Sequence, residues 1–192
     1  MIRRTALAVV GLALMLAAPH PAAEAAGPGL TYMVPAPSGS VQRVSDITSA
    51  QRQTLPDLII SDGSNVPAHI SRYRGYVVVL NFYSINCGPC MKDLLYLNRL
   101  QGNMRGFPLQ VLAVSEDGLN PKAVKAFMDK QGLGFLKPFG DPNGYSSGVL
   151  GLQGLPSTVI IDKAGRLAGA VAGNVVWDSP DVEKALTKLT RE

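Results

Sequence analysis

Cys87-Gly88-Pro89-Cys90 holds the only two cysteines among 192 residues. Two sulfurs three positions apart can close into a disulfide, open it again, and pass it to another molecule. The reacting species is the thiolate: one cysteine attacks a foreign disulfide, and the second releases it by closing the ring. On this reading Cys87 is the exposed nucleophile and Cys90 the resolving thiol. The run Tyr76-Val77-Val78-Val79-Leu80-Asn81-Phe82 reads as a buried strand leading into the pair. A helical pattern follows, with Met91, Leu94 and Leu95 on one face and Leu97 and Leu100 beside it. Both sulfurs then sit in the first turn of a helix, where unpaired backbone N–H groups and the helix dipole favour a thiolate.

Other uses of two cysteines fit less well. Structural zinc needs four ligands, and here there is no third cysteine. The two histidines are His20, near the N-terminus, and His69, far from the pair. A purely structural bridge over two residues would restrict the unfolded chain little.

The N-terminus has the form of a secretory signal: Arg3 and Arg4, a 14-residue apolar stretch from Thr5 to Ala18, then Ala23-Glu24-Ala25 as a cleavage site. That stretch is short for a membrane span, so cleavage is expected over anchoring. The expected organisation is a signal peptide (1–25), a flexible extension rich in Gly, Pro, Ser and Ala (26–50), and one domain (51–192). In an oxidising compartment a dithiol stays reduced only with a dedicated electron source. The net charge of +4 falls to +3 without Arg3, Arg4 and Glu24, and no Lys/Arg run with interleaved aromatics suggests nucleic-acid binding.

Beyond the Cys helix, Leu109–Val114 reads as a strand, and Asn120-Pro121 as the capped start of a helix with Val124, Phe127 and Met128 apolar. Thr158–Ile161, the turn Asp162–Gly165 and Leu167–Val171 read as a hairpin. A last helix begins near Asp178-Ser179-Pro180, with Val182, Ala185, Leu186 and Leu189 at helical spacing. The pattern predicts an α/β fold, a mixed sheet covered by helices.

The stretch Leu80–Cys90, followed by Gly154-Leu155-Pro156-Ser157-Thr158 through Arg166, resembles the TlpA/ResA branch of the thioredoxin-like proteins, from about Leu55 to the C-terminus. Gly173 and Trp177-Asp178-Ser179-Pro180 resemble the tail of the TlpA type. The resemblance implies an exported thioredoxin-like fold with an extra strand–helix insertion between the Cys motif and Pro156, which would be a cis proline facing the cysteines. It implies a monomer without cofactor or resident metal that reduces protein disulfides and is itself reduced by a membrane thiol carrier. Apocytochrome c and copper-delivery proteins are the implied clients, and the periplasm the implied location. Asn86 and Tyr83 stand where the family favours tryptophan, leaving an apolar docking surface beside Cys87 in question. Partner recognition around Glu116-Asp117-Gly118 competes with a plain solvated acidic turn.

Ordinary thioredoxins place a buried aspartate six residues before the first cysteine. Here that position is Asn81, which cannot titrate. Three residues after the second cysteine the family usually carries glutamate, and this chain has Asp93. Spacing i, i+3 puts Asp93 and Cys90 on one helix face. Asp93 is thus a candidate proton acceptor for Cys90, against the alternative of a solvated first-turn acid that complements the dipole.

Two other functions compete. A peroxiredoxin-like peroxidase would use a P-x-x-x-[TS]-x-x-C frame, in which Ser84 matches and Leu80 does not. A Cu(I) chaperone without exchange activity could use the two soft thiolates, with His69 the only distant histidine outside the leader.

Overall fold

Seven consecutive buried residues, Val77–Tyr83, form the strand that organises the molecule (β3). Side chains alternate across a strand. Val77, Val79 and Tyr83 therefore enter one hydrophobic cluster, and Val78, Leu80 and Phe82 the other. Asn81 shares the parity of Val79 and Tyr83, so the only amide of β3 is buried under the helical face. The computed structural model describes residues 52–192. The expected signal peptide (1–25) and extension (26–50) lie outside the described residues.

In chain order the elements are β1 (Ile59–Ser61), β2 (Pro67–His69), β3, α1 (Gly88–Asn103), β4 (Leu109–Ser115), α2 (Pro121–Lys130), β5 (Pro138–Gly140), α3 (Tyr145–Val149), β6 (Ser157–Ile161), β7 (Leu167–Ala172) and α4 (Pro180–Arg191). The sheet runs β2-β1-β5-β4-β3-β6-β7. Strands β3, β4 and β5 are mutually parallel, while β1, β2, β6 and β7 pair antiparallel. This is the mixed, helix-flanked α/β architecture expected. Between the Cys motif and Pro156 lie two strands and two helices, in keeping with the extra strand–helix unit expected there.

Leu94, Leu97 and Leu100 of α1, Val124 and Met128 of α2, and Val182, Leu186 and Leu189 of α4 cover one sheet face. Each such buried aliphatic side chain contributes about 1.5–3 kcal/mol. Leu95, expected on the buried face of α1, points to solvent instead. It lies one residue from Leu94, about 100° round the helix, while the stripe continues through Leu97 and Leu100. The other face is closed by residues outside the long helices, including Leu55, Leu58, Ile60, Ile70 and Leu150.

The caps follow local chemistry. Asn120 Oδ1 accepts the N–H of Lys122 at 2.8 Å, with Pro121 opening α2 where no N–H is needed. Gly165, at φ +79°, turns the β6–β7 hairpin. No described helix is long and apolar enough to cross a membrane.

Candidate active site

Strand β3 ends at Tyr83, and the chain turns through Ser84-Ile85-Asn86 into α1. Asp117, just beyond β4, fixes this turn. Its carboxylate accepts Ser84 Oγ–H at 2.6 Å, the Ile85 N–H at 2.8 Å and Ser115 Oγ–H at 2.8 Å. The parallel register of β3 and β4, with Tyr83 opposite Ser115, brings these groups together. Asp117 is therefore a structural anchor behind the cysteines and not a solvated turn acid. Gly118 is exposed.

Cys87 is the N-cap of α1, and its Sγ accepts the Cys90 N–H at 3.2 Å. Pro89 occupies the first turn, where its missing N–H costs nothing. The two sulfurs form a disulfide across Cα atoms 5.2 Å apart. Cys87 is half-buried and Cys90 fully buried. The helix thus offers one sulfur to a visitor and hides the other beneath it.

The Leu155–Pro156 peptide bond is cis. Pro156 precedes β6, whose Ser157 pairs with Phe82, so the antiparallel register sets it at the same end of the sheet as the cysteine turn. Pro156 is buried, and its carbonyl accepts the N–H of Gly173 at 2.8 Å. Exposed Leu155 precedes it.

Asp93 lies in the second turn of α1 and is 0% exposed, which removes the reading of a solvated first-turn acid. Its Oδ1 accepts the Val175 N–H and the Trp177 indole N–H, each at 3.0 Å, and Oδ2 accepts Asn81 Nδ2–H at 2.9 Å. Burial pushes the carboxyl up to about 6, and the donors from Val175, Trp177, Asn174 and Asn81 pull it back only in part. An acid balanced near neutrality can both take and return a proton.

Sequence reasoning passed over Asn81, Val175 and Trp177 as donors to this carboxylate. Trp177, fully buried, and Val175 reach Asp93 from a segment beyond β7 that also donates Asn174 Nδ2–H to the Pro89 carbonyl at 2.7 Å. Gly173, at φ +94°, turns the chain from β7 toward α1. The available signal was a lone tryptophan after a strand, too weak to name its target. Tyr83 is fully buried within the core and is no part of a docking surface, whereas Asn86 is exposed.

Glu116 departs from the solvated-turn reading as well. Burial first, then the neighbouring charge of Asp141, raise it to about 7, opposed by the hydroxyl of Ser147 at 3.1 Å. His69 sits on edge strand β2, separated from β3 by β1, β5 and β4, and its Nδ1 pairs with Asp57 at 2.9 Å.

Residues 51–170 match the family model described as AhpC/TSA family. The thiol-disulfide oxidoreductase ResA of Geobacillus thermodenitrificans is 32% identical over 138 residues, covering 71% of this chain and 76% of that protein. ResA of Geobacillus kaustophilus is 29% identical over 137 residues, with the same coverage. A solved structure assigned as the thiol:disulfide interchange protein DsbE of Chlorobium tepidum superposes with a TM-score of 0.63 at 25% identity, over 72% of this chain and 96% of that one. A secreted thiol-disulfide isomerase from Corynebacterium glutamicum shares the fold with a TM-score of 0.65 at 23% identity, over 76% of this chain and 90% of that one. A half-exposed and a buried sulfur at a helix N-terminus, the cis proline at the same end of the sheet and these relatives agree: the chain belongs to the AhpC/TSA family and, within it, is a thiol-disulfide oxidoreductase of the TlpA/ResA type.

Proposed function

We propose that this chain works outside the cytoplasm as a reductant of protein disulfides, with client proteins of cytochrome c or copper-site maturation as its substrates. The observation that carries the reading is the asymmetry of the cysteines, one half-exposed at a helix N-cap and one fully buried, with a buried carboxylate a helical turn further on. In the reduced protein the Cys87 thiolate attacks one sulfur of the client disulfide, forming a Cys87–client bond and expelling the client's other sulfur as thiolate. Cys90 then loses its proton to Asp93 and attacks Cys87 Sγ. The Cys87–Cys90 bond forms, the client leaves as its second thiolate, and both client thiolates take protons from solvent or Asp93.

Pro156 stands at the same end of the sheet as the pair, and Leu155 before it offers exposed apolar surface to the client. The oxidised protein must be returned to the dithiol, and a membrane thiol carrier suits an exported location. The Gly88-Pro89 dipeptide supports a potential nearer thioredoxin's, about −270 mV, than DsbA's, about −120 mV. Residues 51–192 act as one domain behind a cleaved leader and a flexible extension, and the protein acts as a monomer.

The peroxidase reading would need Ser84 to serve a peroxide at Cys87, but its hydroxyl is committed to Asp117. Trapping tests the proposal: a Cys90→Ser variant, expressed in the native compartment, should accumulate mixed disulfides with a small set of cytochrome c or copper-delivery proteins. Capture of a broad, unrelated set, or of none, would sink the client assignment. A glutathione-equilibrium potential at the DsbA end would make the protein an oxidant.

A further inference from the structure

Asn81 is buried, and its carboxamide is satisfied on one side only. Nδ2 donates to Asp93 Oδ2 and to Thr158 Oγ1, both at 2.9 Å, while Oδ1 is buried with no hydrogen-bond partner. An unpaired buried acceptor beside a carboxyl that can be protonated calls for a physical account. The carboxylate state suits the arrangement as drawn, because an ionised carboxyl only accepts hydrogen bonds. A protonated Asp93 carries an O–H that needs an acceptor, and Oδ1 of Asn81, after a half-turn of the amide, supplies one at the position now held by Nδ2. The Thr158 hydroxyl serves both states, accepting from Nδ2 in one and donating to Oδ1 in the other.

We propose that Asn81 is a two-state positioning residue, turning over its carboxamide as Asp93 takes and returns the proton of Cys90, while Trp177 and the Val175 N–H hold the other carboxyl oxygen fixed. The inference rests on the reading of Asp93 as proton acceptor. Only Asp93 Oδ2 changes partner type. Oδ1 keeps its two donors from a segment that packs against α1, so the proton is confined to the oxygen facing Asn81. After the half-turn the NH2 occupies the buried place where Oδ1 had no partner. The protonated state is therefore under-satisfied, which favours giving the proton back. Other titratable groups in the same cluster are the buried Cys90 and Tyr83 and the partly buried Cys87 and Tyr96, and the main weights on Asp93 are burial and neutral hydrogen-bond donors.

The first measurement uses the unaltered chain. In the carboxylate state both Asn81 amide protons are hydrogen-bonded; in the turned state neither is. Proton NMR of the oxidised protein should show both moving upfield together on acidification through the Asp93 titration. The indole N–H, a single signal because Trp177 is the only tryptophan, should shift with the same inflection and stay hydrogen-bonded. If only one Asn81 proton moves, the amide is a fixed donor and the inference is wrong.

The second measurement separates roles kinetically. Reduced protein mixed with an aromatic disulfide releases one coloured thionitrobenzoate when Cys87 attacks and a second when Cys90 displaces it. Trp177→Phe removes a donor present in both states but bound more strongly by the charged carboxylate, so the inflection of the second phase should rise by about one pH unit, with the first phase unchanged. Asn81→Leu removes a partner from both states. It should move the inflection much less while slowing the second phase several-fold at every pH. An Asn81→Leu shift as large as that of Trp177→Phe would overturn the two-state assignment. Asp93→Asn tests the underlying reading: loss of the inflection supports it, and an unchanged profile removes both the proton acceptor and the role of Asn81.

Discussion

Cys87 and Cys90 differ in exposure, and that difference has a direct chemical consequence. After reduction, alkylation near neutral pH should modify Cys87 at least tenfold faster than Cys90, because the half-exposed N-cap sulfur accepts the Cys90 N–H and the other sulfur is enclosed. Mass mapping of partly alkylated protein checks this, and equal rates, or faster labelling of Cys90, would remove the assignment of Cys87 as nucleophile. The pair and the one-turn spacing to Asp93 were legible in the sequence because they are local. The surroundings of Asp93 were not: its donors lie 12 residues before it and 82 and 84 residues after it. Only the parity of β3 and the path beyond β7 bring them together, and neither is encoded near Asp93.

Among the elements, the turn between β3 and α1 is held from outside by Asp117. Asp117→Ala would leave the Ile85 N–H and two hydroxyls without their acceptor, costing about 1–3 kcal/mol. The same change should loosen the register of Cys87. A larger loss of exchange activity than of stability, with partial rescue by Asp117→Asn, is the expected pattern; activity that tracks the folded fraction alone would reduce Asp117 to a scaffold residue. Gly173 offers a second test. At φ +94°, with no heavy atom within 4 Å of an added Cβ, Gly173→Ala should cost about 1–2 kcal/mol through backbone strain alone. It should also slow resolution, because the turn aims Val175 and Trp177 at Asp93. Denaturant unfolding and the second-phase rate together check both effects. The long elements β3, α1, β4, α2, β6, β7 and α4 could be read from their periodicity. The three-residue strands β1, β2 and β5 and the five-residue α3 could not, since so few residues carry no period and tertiary pairing alone defines them.

For the molecule as a whole, the buried carboxyls predict an unusual dependence of stability on pH. Burial raises both Asp57 and Asp162, but hydrogen bonds from Ser71 and His69 to Asp57, and from Arg166 and Arg52 to Asp162, outweigh it. Both are held below their ordinary value, so their contribution is present above about pH 4 and lost in acid. Asp93 and Glu116 work in the opposite sense. Their folded values, about 6 and about 7, exceed the unfolded ones of 3.8 and 4.5, so the folded chain binds more protons between these limits. Stability conferred by their neutral forms is complete below the unfolded values and is lost as pH rises through the folded ones. The two sets together place the stability maximum of the oxidised protein near about pH 4–5, with a decline toward pH 7. Glu116→Gln keeps a neutral side chain beside Asp141 and Ser147 at every pH, and should stabilise the protein relative to wild type at pH 8 more than at pH 5. Asp93→Asn should reproduce the sign of that trend over a window about one unit lower, with a fixed penalty where its NH2 meets the donors that now point at the carboxylate. Thermal unfolding from pH 3 to 8 with the disulfide intact reads all three chains. A wild-type curve that climbs steadily to pH 7, or a Glu116→Gln difference independent of pH, would mean that the Glu116 carboxyl ionises without cost and that the acid pair at the end of β4 is solvated after all.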